Sequence, residues 1–242
     1  MLNLASEMPK CMLEFRGRPL IDWQIAALRV AGATSVGIVT GYRDEILRGK
    51  GDASFHNSNW ESTNMVSSLL CAEEWLDEDE CIVSYSDIFF FGSSLRDLVR
   101  SDANLAITYD TNWLALWSRR FQNPLDDAEN FKIDKSSRLT LIGGRPYSTS
   151  AVGGQYMGII KTTPAGWKIL RDVLLELPKA KLAAIDMTQL FAVFIKRHPR
   201  VICCIPYRDL WMEFDSPTDV LVANELTEDI NLATEIRSLN DS

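Results

Sequence analysis

The stretch LIDWQIAALRVAGATSVGIVTGY, residues 20–42, changes its hydrophobic period half-way along and thereby decides the fold class. Over residues 20–31, Leu20, Trp23, Ile25, Ala27 and Leu28 share one broad face at helical spacing, which predicts an amphipathic helix. Gly32 stops that run where a helix takes a glycine cap. Residues 35–40 are then short, apolar and β-branched, and end at Gly41-Tyr42, as a strand buried on both faces of a parallel sheet does. Helix then strand is half of a βαβ unit, so the class is α/β.

The rhythm continues outward. Residues 53–57 predict a short strand, 64–75 a helix, and 81–85 a strand that delivers Asp87 to its C-terminal end, the edge at which open α/β sheets bind ligands. A helix around 94–100 and a buried strand at 105–109 follow. Between residues 110 and 154 the alternation gives way to Trp113, Trp117, an Asp-rich turn at 124–127 and two short strands, 130–133 and 139–142. This is read as a small β insertion that covers a sheet edge and shapes a pocket, within one domain spanning 1–242. Residues 155–163 return to strand, and Pro164 opens a helix at its favoured first position. Asp186 caps a second helix running to residue 197. Strands are predicted at 201–205 and 210–214, the latter ending on Asp215, and the tail from Ser216 is read as mostly helical.

At 242 residues and 46% hydrophobic, the chain is long enough for a sizeable core. A net charge of -8 argues against a nucleic-acid surface, which needs a basic stripe to displace counterions, so any bound phosphate is small and held locally. Five cysteines, an odd number without a CxxC pair, suggest neither a disulfide framework nor a zinc site. No basic then apolar leader opens the chain, and no apolar run reaches the roughly 18 residues of a membrane span. The expectation is a soluble cytoplasmic protein, with self-association left open.

Asp87 and Asp215 each end an apolar strand, in IVSYSD and WMEFD, with no histidine nearby. Two carboxylates meeting on one rim suit Mg²⁺, which takes oxygen ligands from the protein and completes its shell with substrate phosphate and water. The competing reading is that each aspartate caps a following helix, as Asp215 would before Ser216-Pro217-Thr218. His56 and His198 lack the context of a general base, and Ser84 and Ser86 lack a GxSxG setting. Trp113, Trp117 and Trp211 fit either core packing or a cage for a quaternary ammonium.

MPKCMLEFRGRPLIDWQIAALRVAGATSVGIVTGY (residues 8–42), YSD (85–87) and EFD (213–215) resemble the sugar-phosphate nucleotidyltransferase superfamily. STNMVSSLLCA (62–72), DTNWLALW (110–117), DAENFKID (127–134) and GGQYMGIIKTT (153–163) most resemble its phosphocholine cytidylyltransferase-like branch. The resemblance implies a Rossmann-like three-layer fold with a mainly parallel central sheet. It also implies transfer of a cytidylyl group from CTP, or another NTP, to a small phosphorylated acceptor with release of pyrophosphate. Lys10 would then contact phosphate, and Asp87 and Asp215 would hold Mg²⁺. Asn64 and Tyr85 would line the nucleotide pocket. Arg145, Gln155, Tyr156, Lys161, Trp211 and Glu213 would face the acceptor, with Lys132 a further phosphate contact. Gly144 stands where the sugar branch carries its glutamate, which argues against sugar recognition of that kind, and a sugar 1-phosphate nucleotidyltransferase is kept as a further alternative.

Members of that superfamily begin with a strand and a glycine-rich phosphate loop, and residues 1–4 align just after that loop. The expectation is a chain that lacks both, with weakened activity and stability, its first Met placed too late. A shortened, catalytically silent relative acting as a binding or assembly subunit is the alternative.

Overall fold

The computed structural model describes residues 8–230 and Leu232. The segment 1–4 and the far end of the tail lie outside the described residues. A tight hairpin of β1 (Glu14–Phe15) and β2 (Arg18–Pro19), turned by Arg16 and Gly17 at positive φ, leads into α1 (Leu20–Val30). Gly32 takes φ 105° just past that helix, as its place in the sequence requires. Next come β3 (Gly37–Thr40) and β4 (Ala53–His56), which run parallel and, among the described residues, pair only with each other.

The helix expected over residues 64–75 is two helices, α2 (Met65–Leu70) and α3 (Glu73–Glu78). Ala72 leaves helical geometry at ψ 19°, and α3 turns so that Trp75 meets Phe55 edge-on at 5.4 Å. The chain continues through β5 (Cys81–Ser84), β6 (Ile88–Phe90), α4 (Arg96–Val99) and β7 (Leu105–Asp110). The 110–154 segment contains α5 (Trp113–Arg120), β8 (Phe131–Ile133) and β9 (Leu139–Ile142). Then follow β10 (Gln155–Thr162), α6 (Pro164–Leu175), α7 (Lys179–Ala184), α8 (Met187–Arg197), β11 (Cys203–Tyr207), β12 (Trp211–Glu213) and α9 (Pro217–Leu226). Thr163 and Asp186 cap α6 and α8 with their side chains.

Four strands form the central sheet in the order β11-β7-β10-β5. β5, β7 and β11 share one direction, and β10 runs against both neighbours. Alternation along β7 separates two cores, because successive side chains leave a strand on opposite faces. Leu105 and Ile107 join the cluster made by α2, α3, α6 and α8, whereas Ala106 joins the one made by α1, α4, α5 and α9. Helices thus cover both faces, giving three layers. The β8–β9 hairpin lies against the outer strand of this sheet, where Cys204 N–H donates to the Ser137 carbonyl at 2.8 Å. Among the described residues no helix is long and apolar enough to cross a membrane.

Candidate active site

Asp87 follows β5 and precedes β6, and Asp215 follows β12. β6 and β12 are antiparallel, with Ile88 opposite Glu213, so the start of one strand lies beside the end of the other. That register, rather than the convergence of parallel strand ends, brings the two aspartates together. Phe214 N–H donates to the Asp87 carbonyl at 2.8 Å and locks the two turns. The helix-cap reading of Asp215 does not hold. Ser216 caps α9, and Asp219 completes a capping box with it.

Lys10 stands between the two carboxylates, on a single helical turn anchored by the buried Cys11. Its Nζ lies 2.7 Å from Asp215 Oδ1 and 3.3 Å from Asp87 Oδ2. Burial opposes its charge, yet the bonds to Asp215 and Asp87 hold its pKa above the ordinary value. Asp87 is raised by burial and by Asp215, with Lys10 pulling the other way. Glu213 is raised to about 7, first by burial and then by Asp215.

Two residues of this site carried no sequence signal. Gln24 of α1 is buried and donates to the carbonyls of Tyr85 at 2.9 Å and Ile88 at 2.6 Å, bracing the Asp87 turn from both sides. Arg120, the last residue of α5, buries its guanidinium completely and reaches Asp219 at 2.8 Å, Glu213 at 3.0 Å and Asp215 at 3.3 Å. Both owe their place to contacts across 60 residues or more, so only a spatial signal finds them.

Residues 4–139 match the family model described as the MobA-like NTP transferase domain. The chain belongs to the MobA-like NTP transferase family. It is 34% identical over 171 residues to the CTP:phosphoglutamine cytidylyltransferase of Campylobacter jejuni, covering 66% of this chain and 67% of that protein. Among solved structures it is similar to the inositol-1-phosphate CTP transferase of T. maritima, at a TM-score of 0.70 and 17% identity over 94% of this chain and 91% of that one. It is also similar to a putative glucose-1-phosphate thymidylyltransferase of Bacillus anthracis, at 0.75 and 14% over 98% and 93%. These two likenesses confirm the nucleotidyltransferase fold.

The remaining expected residues of this NTP transferase fall into two groups. Tyr85 lies next to Asp87, its N–H bonded to the Gly158 carbonyl and its ring packed where any Cβ on Gly158 would stand 2.6 Å away. Gly158 sits at φ 78° in an irregular stretch of β10, which makes room for that ring. Tyr156 meets Tyr85 edge to face at 5.9 Å. Gln155 is buried and clamps the backbone of Glu129 through both amide ends, so it aims Glu129 and has no amide end left for the acceptor. Arg145 is exposed and has no bonded partner among the described residues, and Lys132 is exposed on β8.

The others are placed differently from the expectation. Trp211 is 3% exposed and donates to Asp110 at 2.9 Å, while Trp113 and Trp117 are also buried, so the three rings are core walls rather than an open cage. Asn64 caps α2 and donates to the Ala184 carbonyl, which commits its amide to joining two helices. Lys161 lies at the far end of β10, six residues from Gln155 and about 20 Å along a strand. Its buried amine donates to the carbonyls of Val99 and Ser101 and pairs with Glu80. Burial satisfied by fixed carbonyls makes it a structural lysine.

Two carboxylates reached by one amine show that a single cation can contact both. The donors are oxygens only, the set that a hard divalent ion takes. Among the described residues no three His, Cys, Asp or Glu side chains form a ready-made metal cage. A cation here would complete its shell from substrate and water.

Proposed function

We propose that this chain transfers a cytidylyl group from CTP to a small phosphorylated metabolite and releases pyrophosphate, with Mg²⁺ held by Asp87 and Asp215. The observation that carries this reading is the convergence of Asp87, Asp215 and Lys10 at one point of a nucleotidyltransferase fold. The preference for CTP is supported by the relative named CTP:phosphoglutamine cytidylyltransferase.

An oxygen of the acceptor phosphate attacks the α-phosphorus in line, so the protein has to align two anions and offset their charge. Mg²⁺ supplies charge neutralisation and Lewis-acid polarisation of the triphosphate. Asp87 and Asp215 hold it, each offering an oxygen that Lys10 contacts in this structure. Lys10, part-exposed and held by the same two carboxylates, would be released to contact phosphate oxygens once the cation takes those carboxylates. Arg145, exposed and without a bonded partner among the described residues, offers a fork for a second phosphate. Tyr85, backed edge to face by Tyr156, forms the wall beside Asp87.

The test is pyrophosphate release from CTP, UTP and dTTP with Mg²⁺, across phosphocholine, glutamine phosphate, aminoalkyl phosphonates and sugar 1-phosphates. Release from CTP with one acceptor class is the expected result. No release from any pair overturns the transfer reading, and turnover that survives both Asp87→Ala and Asp215→Ala overturns the metal assignment.

A further inference from the structure

The Asp215 carboxylate is divided between two cations. Oδ1 faces Lys10 and the Asp87 side, whereas Oδ2 faces inward to Arg120 at 3.3 Å. Arg120 is not a surface partner that happens to reach it. Its guanidinium is completely buried, with its central carbon 5.1 Å from the ring centre of Trp117 and 5.0 Å from that of Phe121. Its Nε donates to Asp219 Oδ1 at 2.8 Å. The other Asp219 oxygen accepts from the backbone N–H of Asp215 at 3.0 Å and of Ser216 at 2.8 Å.

Asp215 is therefore held at its backbone by Asp219 and at one side-chain oxygen by Arg120. The two holders are bonded to each other and stand on different helices, α5 and α9. Only Oδ1 is left toward the site.

We infer that Arg120, acting with Asp219, is the positioning residue that presents Asp215 Oδ1, and Oδ1 alone, to the divalent cation. The inference rests on the reading that Asp87 and Asp215 bind that cation. A planar guanidinium has the fixed fork to reach three carboxylates at once, and a lysine amine does not. Partners that orient a metal ligand in this way are worth about 10–100-fold in metal affinity.

The experiment is Mn²⁺ binding to the full chain, read by electron paramagnetic resonance of the free ion, for wild type, Asp215→Ala and Arg120→Lys. Arg120→Lys keeps the charge and loses the fork. Its Mn²⁺ dissociation constant is expected to rise about 10–100-fold, with most of the turnover recovered at saturating Mn²⁺. A general packing defect would instead lower turnover at every metal concentration, and that result overturns the inference.

Asp219→Asn carries the same test if Arg120→Lys does not fold. It keeps the volume but sets an amide donor against Arg120 Nε–H or against the backbone N–H of Asp215. Loss of Mn²⁺ binding in Asp215→Ala together with wild-type affinity in the folded Arg120 or Asp219 variant overturns the role of Arg120. Unchanged Mn²⁺ binding in Asp215→Ala overturns the underlying metal reading, and the inference with it.

Discussion

Lys10, on the turn before β1, and Lys161, on β10, are both lysines with oxygen partners. Lys10 leaves 40% of its side chain exposed and bonds to two carboxylates, one of which is itself 43% exposed. Lys161 leaves 3% exposed and bonds mainly to two main-chain carbonyls. Carbonyls fixed in the backbone cannot leave, and their desolvated oxygens need that donor. Carboxylates on side chains can exchange one cation for another. The difference teaches that a lysine is available to a ligand when its partners are replaceable, whatever its charge.

The comparison breaks most visibly if the carboxylates around Lys10 are removed. Asp87→Ala and Asp215→Ala are each expected to cost about 10³-fold in kcat/KM for pyrophosphate release, because on the proposed reading both the cation and the anchor of Lys10 are lost. Lys10→Met is expected to cost about 10²-fold, with a stability change below about 1 kcal/mol in urea unfolding, since its ion pairs are part-exposed. Lys161→Met should do the reverse. It leaves the carbonyls of Val99 and Ser101 unpaired and lowers stability by about 1–3 kcal/mol, while turnover per folded molecule stays at the wild-type level. A rate loss in Lys161→Met without loss of stability would erase the distinction.

The smallest effect is a pH dependence that sharpens it. Burial and Asp215 raise Glu213 from 4.5 to about 7, so the folded chain holds that proton more tightly than the unfolded one. The contribution of this group to stability is full below pH 4.5 and is lost as pH rises through about 7. Glu213→Gln is expected to flatten the fall in Tm across that window, and a Tm profile parallel to wild type would show that Glu213 does not titrate there. No such flattening is expected from Lys161→Met, which leaves Glu213 in place.

Where a feature rests on local chemistry, the sequence shows it. The 3.6-residue period of α1, the glycine after it, the β-branched run of β3, the proline that opens α6 and the cap at Asp186 each depend on neighbours within a few positions. Asp87 and Asp215 were legible because each closes an apolar strand. Their meeting comes from the antiparallel pairing of β6 with β12, which neither short run announces alone. Trp211 and Gln155 went astray for one reason: their polar atoms look available in sequence and are taken up by Asp110 and by the Glu129 backbone in space.

The sequence by itself determined the α/β class, the nucleotidyltransferase family and the residue types that carry charge to the site. Those depend on periodicity, on turn residues and on short motifs. Which charges are free and which are bound was decided only by tertiary structure. Gln24 on the Asp87 turn, Arg120 behind Asp215 and the buried amine of Lys161 are set by contacts over 60 to 99 positions. A polar group is available or spent according to what folding packs around it, and that is a property of the packed core rather than of any stretch of chain.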